Sequence, residues 1–186
     1  MGNRRLGRKR LYAVEKLGQS LDLAAGAGIS PAIVSATQHR QGSQIISEIV
    51  LDLGTGKADI VGGGADTDAI GVASADASIT QLTVAKFGVI TEMRVVCLEA
   101  PTGGDTDVDF HAHASAINTA ASPTIAISGL AGLTAVGQDV VADIDDNGLA
   151  DDYLYITNGS GSGSGSMTAG KFVILIYGFV VPDDLA

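Results

Sequence analysis

The stretch GKFVILIYGFVVP, residues 170–182, is apolar at almost every position and decides the class of fold. In an extended chain, one face would carry Val173, Leu175, Tyr177 and Phe179, and the other would carry Phe172, Ile174 and Ile176. A strand that is apolar on both faces must be covered on both sides. The stretch therefore predicts either the central strand of a sandwich or a strand that meets a neighbouring subunit. The first set of four residues is predicted to make that packing or subunit contact.

The rest of the chain shows strand patterns that glycine-rich turns separate. QIISEIVLDL, residues 44–53, places Ile45, Ile49, Leu51 and Leu53 on one face and Glu48 and Asp52 on the other. GVITEMRVVCLEA, residues 88–100, is predicted to point Val89, Thr91, Met93, Val95 and Cys97 inward. DVDFHAHAS, residues 107–115, is predicted to return beside it as a hairpin.

Further strands are predicted in ASITQLTVAK (77–86), PTIAISGL (123–130), GQDVVADI (137–144) and DDYLYITNG (151–159). Roughly nine or ten strands without intervening helical patterns indicate an all-β fold, an antiparallel β-sandwich or jelly roll. The crossover helices that an α/β fold needs are missing from the pattern. Residues 32–186 are predicted to form this single domain.

Composition excludes several classes of protein. Charged residues make up 17% of the 186-residue chain, and aromatic residues 4% with no Trp, so aliphatic side chains must build the core. A single cysteine, Cys97, excludes an intramolecular disulfide framework and a multi-cysteine zinc site. The sequence lacks an apolar run of membrane-spanning length and the apolar core of a signal peptide, which predicts a soluble chain made in a cytoplasm without a membrane partner.

Charge is distributed unevenly along the chain. Residues 1–16 contain six basic residues against Glu15, which gives them a net charge of +5. The whole chain has a net charge of −10, so the remaining 170 residues carry a net charge of −15. Residues 1–31 are predicted to form a basic arm with a short helix and a linker. The binding side chains predicted for the arm are Arg4, Arg5, Arg8, Lys9 and Arg10. Docking on an acidic protein surface is favoured, with contact to nucleic-acid phosphates as the alternative.

Residues 143–151, DIDDNGLAD, resemble the start of a calcium-binding loop. Oxygen ligands at Asp143, Asp145, Asn147 and Asp151, with Gly148 for the tight turn, suit Ca²⁺. The twelfth position is Leu154 instead of the closing Glu, and the flanks are strand-like. An acidic β-turn is therefore favoured over a calcium site, and no other cofactor is expected.

A second polar pattern places Asp105, Asp107, Asp109, His111 and His113 at alternate positions. Two histidines with carboxylates could hold a transition metal. The intervening apolar residues instead favour an ordinary strand with one face in water. Without a recognisable nucleophile or phosphate-binding loop, the sequence is not expected to encode an enzyme.

The start MGNRRLGRKRLYAVEKLGQ, the body rich in Ala, Gly, Ser, Thr, Val and Ile, and the closing DDYLYITNG and TAGKFVILIYGF resemble small virion structural proteins of tailed, particularly marine, bacteriophages. The resemblance implies a structural sandwich repeated on a particle and no catalytic residues. It implies a virion protein made in the host cytoplasm, whose partners are other copies, expected as a trimer, and the major capsid or other virion proteins.

Two functions from different classes follow from the sequence. The first is a capsid decoration, cement or minor capsid protein that oligomerises and binds the particle through its arm, with a tail or neck component as a variant. The second is a calcium-dependent or carbohydrate-binding β-sandwich module that uses the Asp143 loop. The missing closing ligand and the scarcity of aromatic residues favour the first.

Overall fold

A computed structural model of the chain describes residues 19–54, 60–72, 74–118, 122–144, 148–160 and 163–180. Two antiparallel sheets account for the strands in these ranges, which confirms the predicted all-β sandwich. The elements in chain order are β1 (Gln19–Ser20), a 3-10 helix (Ser30–Ala32), β2 (Ile33–Gln41), β3 (Gln44–Asp52), β4 (Thr80–Gln81), α1 (Val84–Phe87), β5 (Val89–Thr102), β6 (Val108–His113), β7 (Ile125–Ala126), β8 (Asp139–Asp143), β9 (Tyr153–Asn158) and β10 (Ala169–Phe179).

The larger sheet has the strand order β1-β2-β3-β10-β5-β8, and the smaller sheet has the order β4-β9-β6-β7. The predicted central strand is β10, which pairs with β3 on one side and with β5 on the other. No helix among the described residues is long and apolar enough to cross a membrane.

The core lies between the two sheets and contains one face of each major strand. On β10 the fully buried residues are Phe172, Ile174 and Ile176. They pack in one cluster with Val108, Phe110 and Ala112 of β6 and with Leu154 and Ile156 of β9. The rings of Phe110 and Phe172 meet edge to face across the layers, 6.4 Å apart. On β3 the predicted inward residues Ile45, Ile49 and Leu51 are buried, as is Leu53 directly after the strand.

A β-bulge changes which residues of β5 point inward. Tyr177 pairs with Glu92, whereas Gly178 pairs with Ile90, so Thr91 is the extra residue of the bulge. The bulge reverses the alternation at this point. The prediction was therefore right for Met93, Val95 and Cys97, which are buried, and wrong for Val89 and Thr91, because Ile90 takes the inward position.

The predicted hairpin over residues 88–114 is wrong. Strand β5 belongs to the larger sheet and β6 to the smaller one. The two edges of β5 are already occupied by β10 and β8, so β6 has no free edge of β5 to pair with. The connection crosses between the layers at Gly103, whose φ of 96° and close approach to Ser166 exclude a side chain.

The strand predicted over residues 77–86 is also replaced in part by a helix. Only Thr80–Gln81 pairs as a strand, with β9. After it, the hydroxyl of Thr83 accepts a hydrogen bond from the Lys86 N–H and caps the four-residue helix α1. Local capping by Thr83 thus overrides the alternating pattern on which the strand prediction rested.

Candidate contact surface

In the larger sheet, the side of β3, β10, β5 and β8 that faces away from the core forms a continuous surface, which we call the outer face. Its middle is the outward side of β10, where Val173 lies between Val50 of β3 and Val96 of β5. Tyr177 lies between Ile46 and Glu92 in the same way. The residues of the outer face are Ile46, Glu48, Val50, Asp52, Glu92, Arg94, Val96, Leu98, Glu99, Asp139, Val141, Asp143, Lys171, Val173, Leu175, Tyr177 and Phe179.

The four residues predicted for packing or subunit contact are on the outer face and not in the core between the sheets. Val173, Leu175 and Tyr177 are half-buried by their neighbours in the sheet. Phe179 is 42% exposed, and Leu98 and Val141 beside them on β5 and β8 are 51% and 46% exposed. The alternate residues of β10 fill the core. Contact of Val173, Leu175, Tyr177 and Phe179 with another subunit stays a prediction.

Acidic side chains dominate the charge of the outer face. Arg94 forms an ion pair with Asp139 through two hydrogen bonds, of which the one from Nε is 2.7 Å long. Lys171 Nζ lies 3.1 Å from Glu99 and 4.0 Å from Asp52. The hydrogen bond from Arg94 lowers the pKa of Asp139, and the hydrogen bond to Glu99 raises the pKa of Lys171. Both basic groups of the outer face therefore already form ion pairs within it.

Three further carboxylates of the outer face form no ion pair with any described residue. They are Glu48 on β3, Glu92 on β5 and Asp143 at the end of β8. Six carboxylates stand against Arg94 and Lys171, so the face carries a net charge of −4. The outer face thus interleaves aliphatic and charged side chains: Val173 lies between two valines, whereas Leu175 lies between Glu48 and Arg94.

Sequence reasoning found the β10 part of this surface and missed the neighbouring strands. Ile46, Val50 and Val96 occupy outward positions at which a solvated strand would carry polar residues. Those aliphatic residues were the available signal, but their assembly into one surface depends on strand order. A sequence pattern does not specify which strands become neighbours.

The alternating pattern of residues 105–113 is confirmed on its apolar side, where Val108, Phe110 and Ala112 are buried. The polar side differs from the expected wetted face. His111 is only 7% exposed, and its Nδ1 lies 2.9 Å from the hydroxyl of Thr157 on β9. Desolvation lowers the pKa of His111 despite the nearby Asp109, and desolvation likewise raises the pKa of Asp109. This side of the smaller sheet is a buried polar network.

Three buried side-chain oxygens near this network have no hydrogen-bond partner, on Asp105, Asp107 and Asn158. Asn158 pairs with Val108 and so shares the core face with it, whereas Asp107 contacts the next residue, Gly159. Strand alternation places Asp107 and Asn158 on opposite faces. Within the described ranges, no three His, Cys, Asp or Glu side chains come together as a metal site.

The remaining predicted site residues fall partly outside the described residues. Of the Asp143 loop, Asp145 and Asn147 lie outside them. Asp143 is exposed at the end of β8, and Asp151 is exposed with a φ of 67°. The arm residues Arg4, Arg5, Arg8, Lys9 and Arg10 also lie outside the described residues.

Comparisons with protein-family models, with curated proteins and with solved structures found no match to the chain.

Proposed function

We propose that this protein is a structural component of a phage particle, a capsid decoration, cement or minor capsid protein that associates with further copies of itself. The observation that carries the proposal is the outer face, which presents aliphatic side chains of β3, β10, β5 and β8 among charged ones. Monomeric soluble proteins rarely expose large contiguous apolar patches, and such patches mark interaction sites. The resemblance of both chain ends to virion structural proteins supports the same role.

The charge distribution supports attachment through the arm. A segment of net charge +5 precedes a body of −15, which favours electrostatic attraction between the arm and an acidic protein surface. In this proposal, the arm fastens the protein to the shell or to a neighbouring copy. The sandwich repeats on the particle, with three copies around a common axis as the expected arrangement. Placement at the tail or neck would use the same two surfaces.

Particles assembled in cells that encode the chain test the location directly. We expect density for the sandwich at regular positions on purified particles imaged by electron microscopy. Replacing Arg4, Arg5, Arg8 and Arg10 by Gln should remove most of that density, while the control Arg40→Gln on β2 should leave it unchanged. Particles that lack the chain, or that keep full occupancy with the neutral arm, would contradict the proposal.

Self-association is tested separately on purified protein. In the full chain, Leu175→Asp places a charge in the middle of the outer face without altering the buried side of β10. We expect sedimentation velocity to show loss of the oligomer. The control Val84→Asp puts the same charge on α1, off the outer face, where Val84 is 40% exposed. An oligomer that persists in Leu175→Asp would argue against the outer face as the contact.

A further inference from the structure

The occupant of the outer face follows from its charge. Two identical copies packed face to face would bring together two surfaces that each carry a net charge of −4. Like charges across an interface cost free energy and suppress the pairing. A partner for this face must instead supply basic groups for its carboxylates and apolar groups for the aliphatic side chains between them.

Residues 1–18 of the chain itself meet both requirements. They contain Arg4, Arg5, Arg8, Lys9, Arg10 and Lys16 as basic residues and Leu6, Leu11, Tyr12, Val14 and Leu17 as apolar ones. No comparable concentration of positive charge occurs elsewhere in the sequence, because the other 168 residues contain five Lys and Arg against 20 Asp and Glu. The sequence therefore encodes one segment that is complementary to the outer face.

The point of attachment of this segment lies within reach. The described chain begins at β1, the edge strand of the larger sheet, three strands away from β10. At about 4.8 Å per strand, the middle of the outer face is about 14 Å across the sheet from that edge. Eighteen residues span about 27 Å as a helix and more when extended.

We propose that residues 1–18 bind the outer face, with basic side chains on Glu48, Glu92 and Asp143 and apolar side chains over Val173 and Leu175. This inference builds on the proposed function, because an arm supplied by a neighbouring copy links the copies. The contact itself is a property of the purified protein. It can therefore fail while the protein is found on particles, and it can hold while the protein is absent from them.

Carbodiimide cross-linking of the full chain, mapped by mass spectrometry, tests the contact. This reagent joins a carboxylate to a lysine in direct contact, and the Lys171–Glu99 ion pair at 3.1 Å is an internal positive control. We expect links from Lys9 or Lys16 to Glu48, Glu92 or Asp143. Links to Asp66 on the smaller-sheet side, or no arm links while the Lys171–Glu99 link forms, would overturn the proposal.

A second measurement uses the susceptibility of the arm to trypsin, which cleaves after Lys and Arg. In the full chain with Glu48→Gln, Glu92→Gln and Asp143→Asn, we expect cleavage within residues 1–18 about tenfold faster than in the parent. The matched control Asp66→Asn with Asp151→Asn removes exposed carboxylates away from the outer face and should leave the rate unchanged. Equal rates in all three proteins would overturn the proposal.

A second copy packed face to face is the competing occupant of the outer face. The triple variant distinguishes this occupant from the arm. If the arm docks, neutralising the three carboxylates loosens the arm and weakens any association of copies. If two faces pack together, the same change removes repulsion and strengthens association. Sedimentation velocity of the triple variant distinguishes these results, and tighter association would refute docking of the arm.

Discussion

Burial of polar side chains is the feature at the residue scale that sequence alternation did not reveal. His111 belongs to a strand whose odd positions are polar, yet it contacts Thr157 and is almost fully covered. Tyr155, opposite it on β9, is fully buried, accepts a hydrogen bond from the Ile117 N–H and donates one to the Ser115 carbonyl. Desolvation raises the pKa of Tyr155 to about 12. The loop after β6 thus supplies hydrogen-bond partners for the buried Tyr155 hydroxyl.

The buried imidazole predicts a dependence of stability on pH. Because burial lowers the pKa of His111 from 6.5 in the folded state, the unfolded chain binds a proton first as the pH falls. The contribution of His111 to stability is therefore present above 6.5 and is lost as the pH decreases toward its folded pKa. Burial raises the pKa of Asp109 from 3.8, because it disfavours the charged carboxylate. Protonation of Asp109 at lower pH therefore favours the folded state, and this contribution to stability increases as the pH falls.

Urea unfolding between about pH 7 and about pH 5 measures this effect. His111→Gln keeps a polar side chain without the titration, so its free energy of unfolding should fall less steeply with decreasing pH than that of the parent. His39→Gln, on the exposed strand β2, should keep the parent's slope. An unchanged slope in His111→Gln would show that burial of this imidazole is not the cause.

Among the strands, β10 contributes both to the core and to the outer face, because it has two apolar faces. Ile174 is fully buried between the sheets, whereas Leu175 is half-buried on the outer face. Both pair with β3 on one side and with β5 on the other. They differ in the face of the sheet on which the side chain lies.

Truncation to Ala at Ile174 and at Leu175 is therefore predicted to lower the free energy of unfolding by different amounts. Ile174→Ala should lower the free energy of unfolding by about 3 kcal/mol, because it leaves a cavity in a closed core. Leu175→Ala should cost about 1 kcal/mol in the dissociated protein, since its side chain is already partly in water. Urea titrations of dilute samples, compared with the parent, measure both values. Equal losses would contradict the separation of the two faces.

At the scale of the whole molecule, the two sheets share one hydrophobic core. Phe110 comes from the smaller sheet and Phe172 from the larger one, and the single main cluster includes residues of both. We therefore expect the sheets to unfold together in one transition.

A double-mutant cycle tests this shared core. Phe110→Leu and Phe172→Leu should each destabilise the protein, and together they should cost less than the sum of the two by about 1 kcal/mol, because both remove the same edge-to-face contact. Phe110→Leu combined with Val141→Ala, which lies on the outer face, should be additive. Two separate transitions in a thermal melt, or additivity for the phenylalanine pair, would indicate independent sheets.

Local sequence patterns were sufficient for the fold class and for the inward residues of β3, and they limited β10 to a central strand or a strand that meets a neighbouring subunit. These features follow from local alternation and from the need to cover a strand that is apolar on both faces. The charge contrast between arm and body is likewise a property of the sequence alone. Local patterns were enough here because each of these features depends on a single segment.

The tertiary structure was needed to establish which strands are neighbours. It separated β5 from β6 because β10 and β8 already occupy the edges of β5. It reversed the alternation at the Thr91 bulge, and it joined Ile46, Val50, Val96 and Val173 into one outer face. Pairing partners, bulges and shared surfaces are set by contacts between residues far apart in the chain, and the pattern of a single segment does not contain that information.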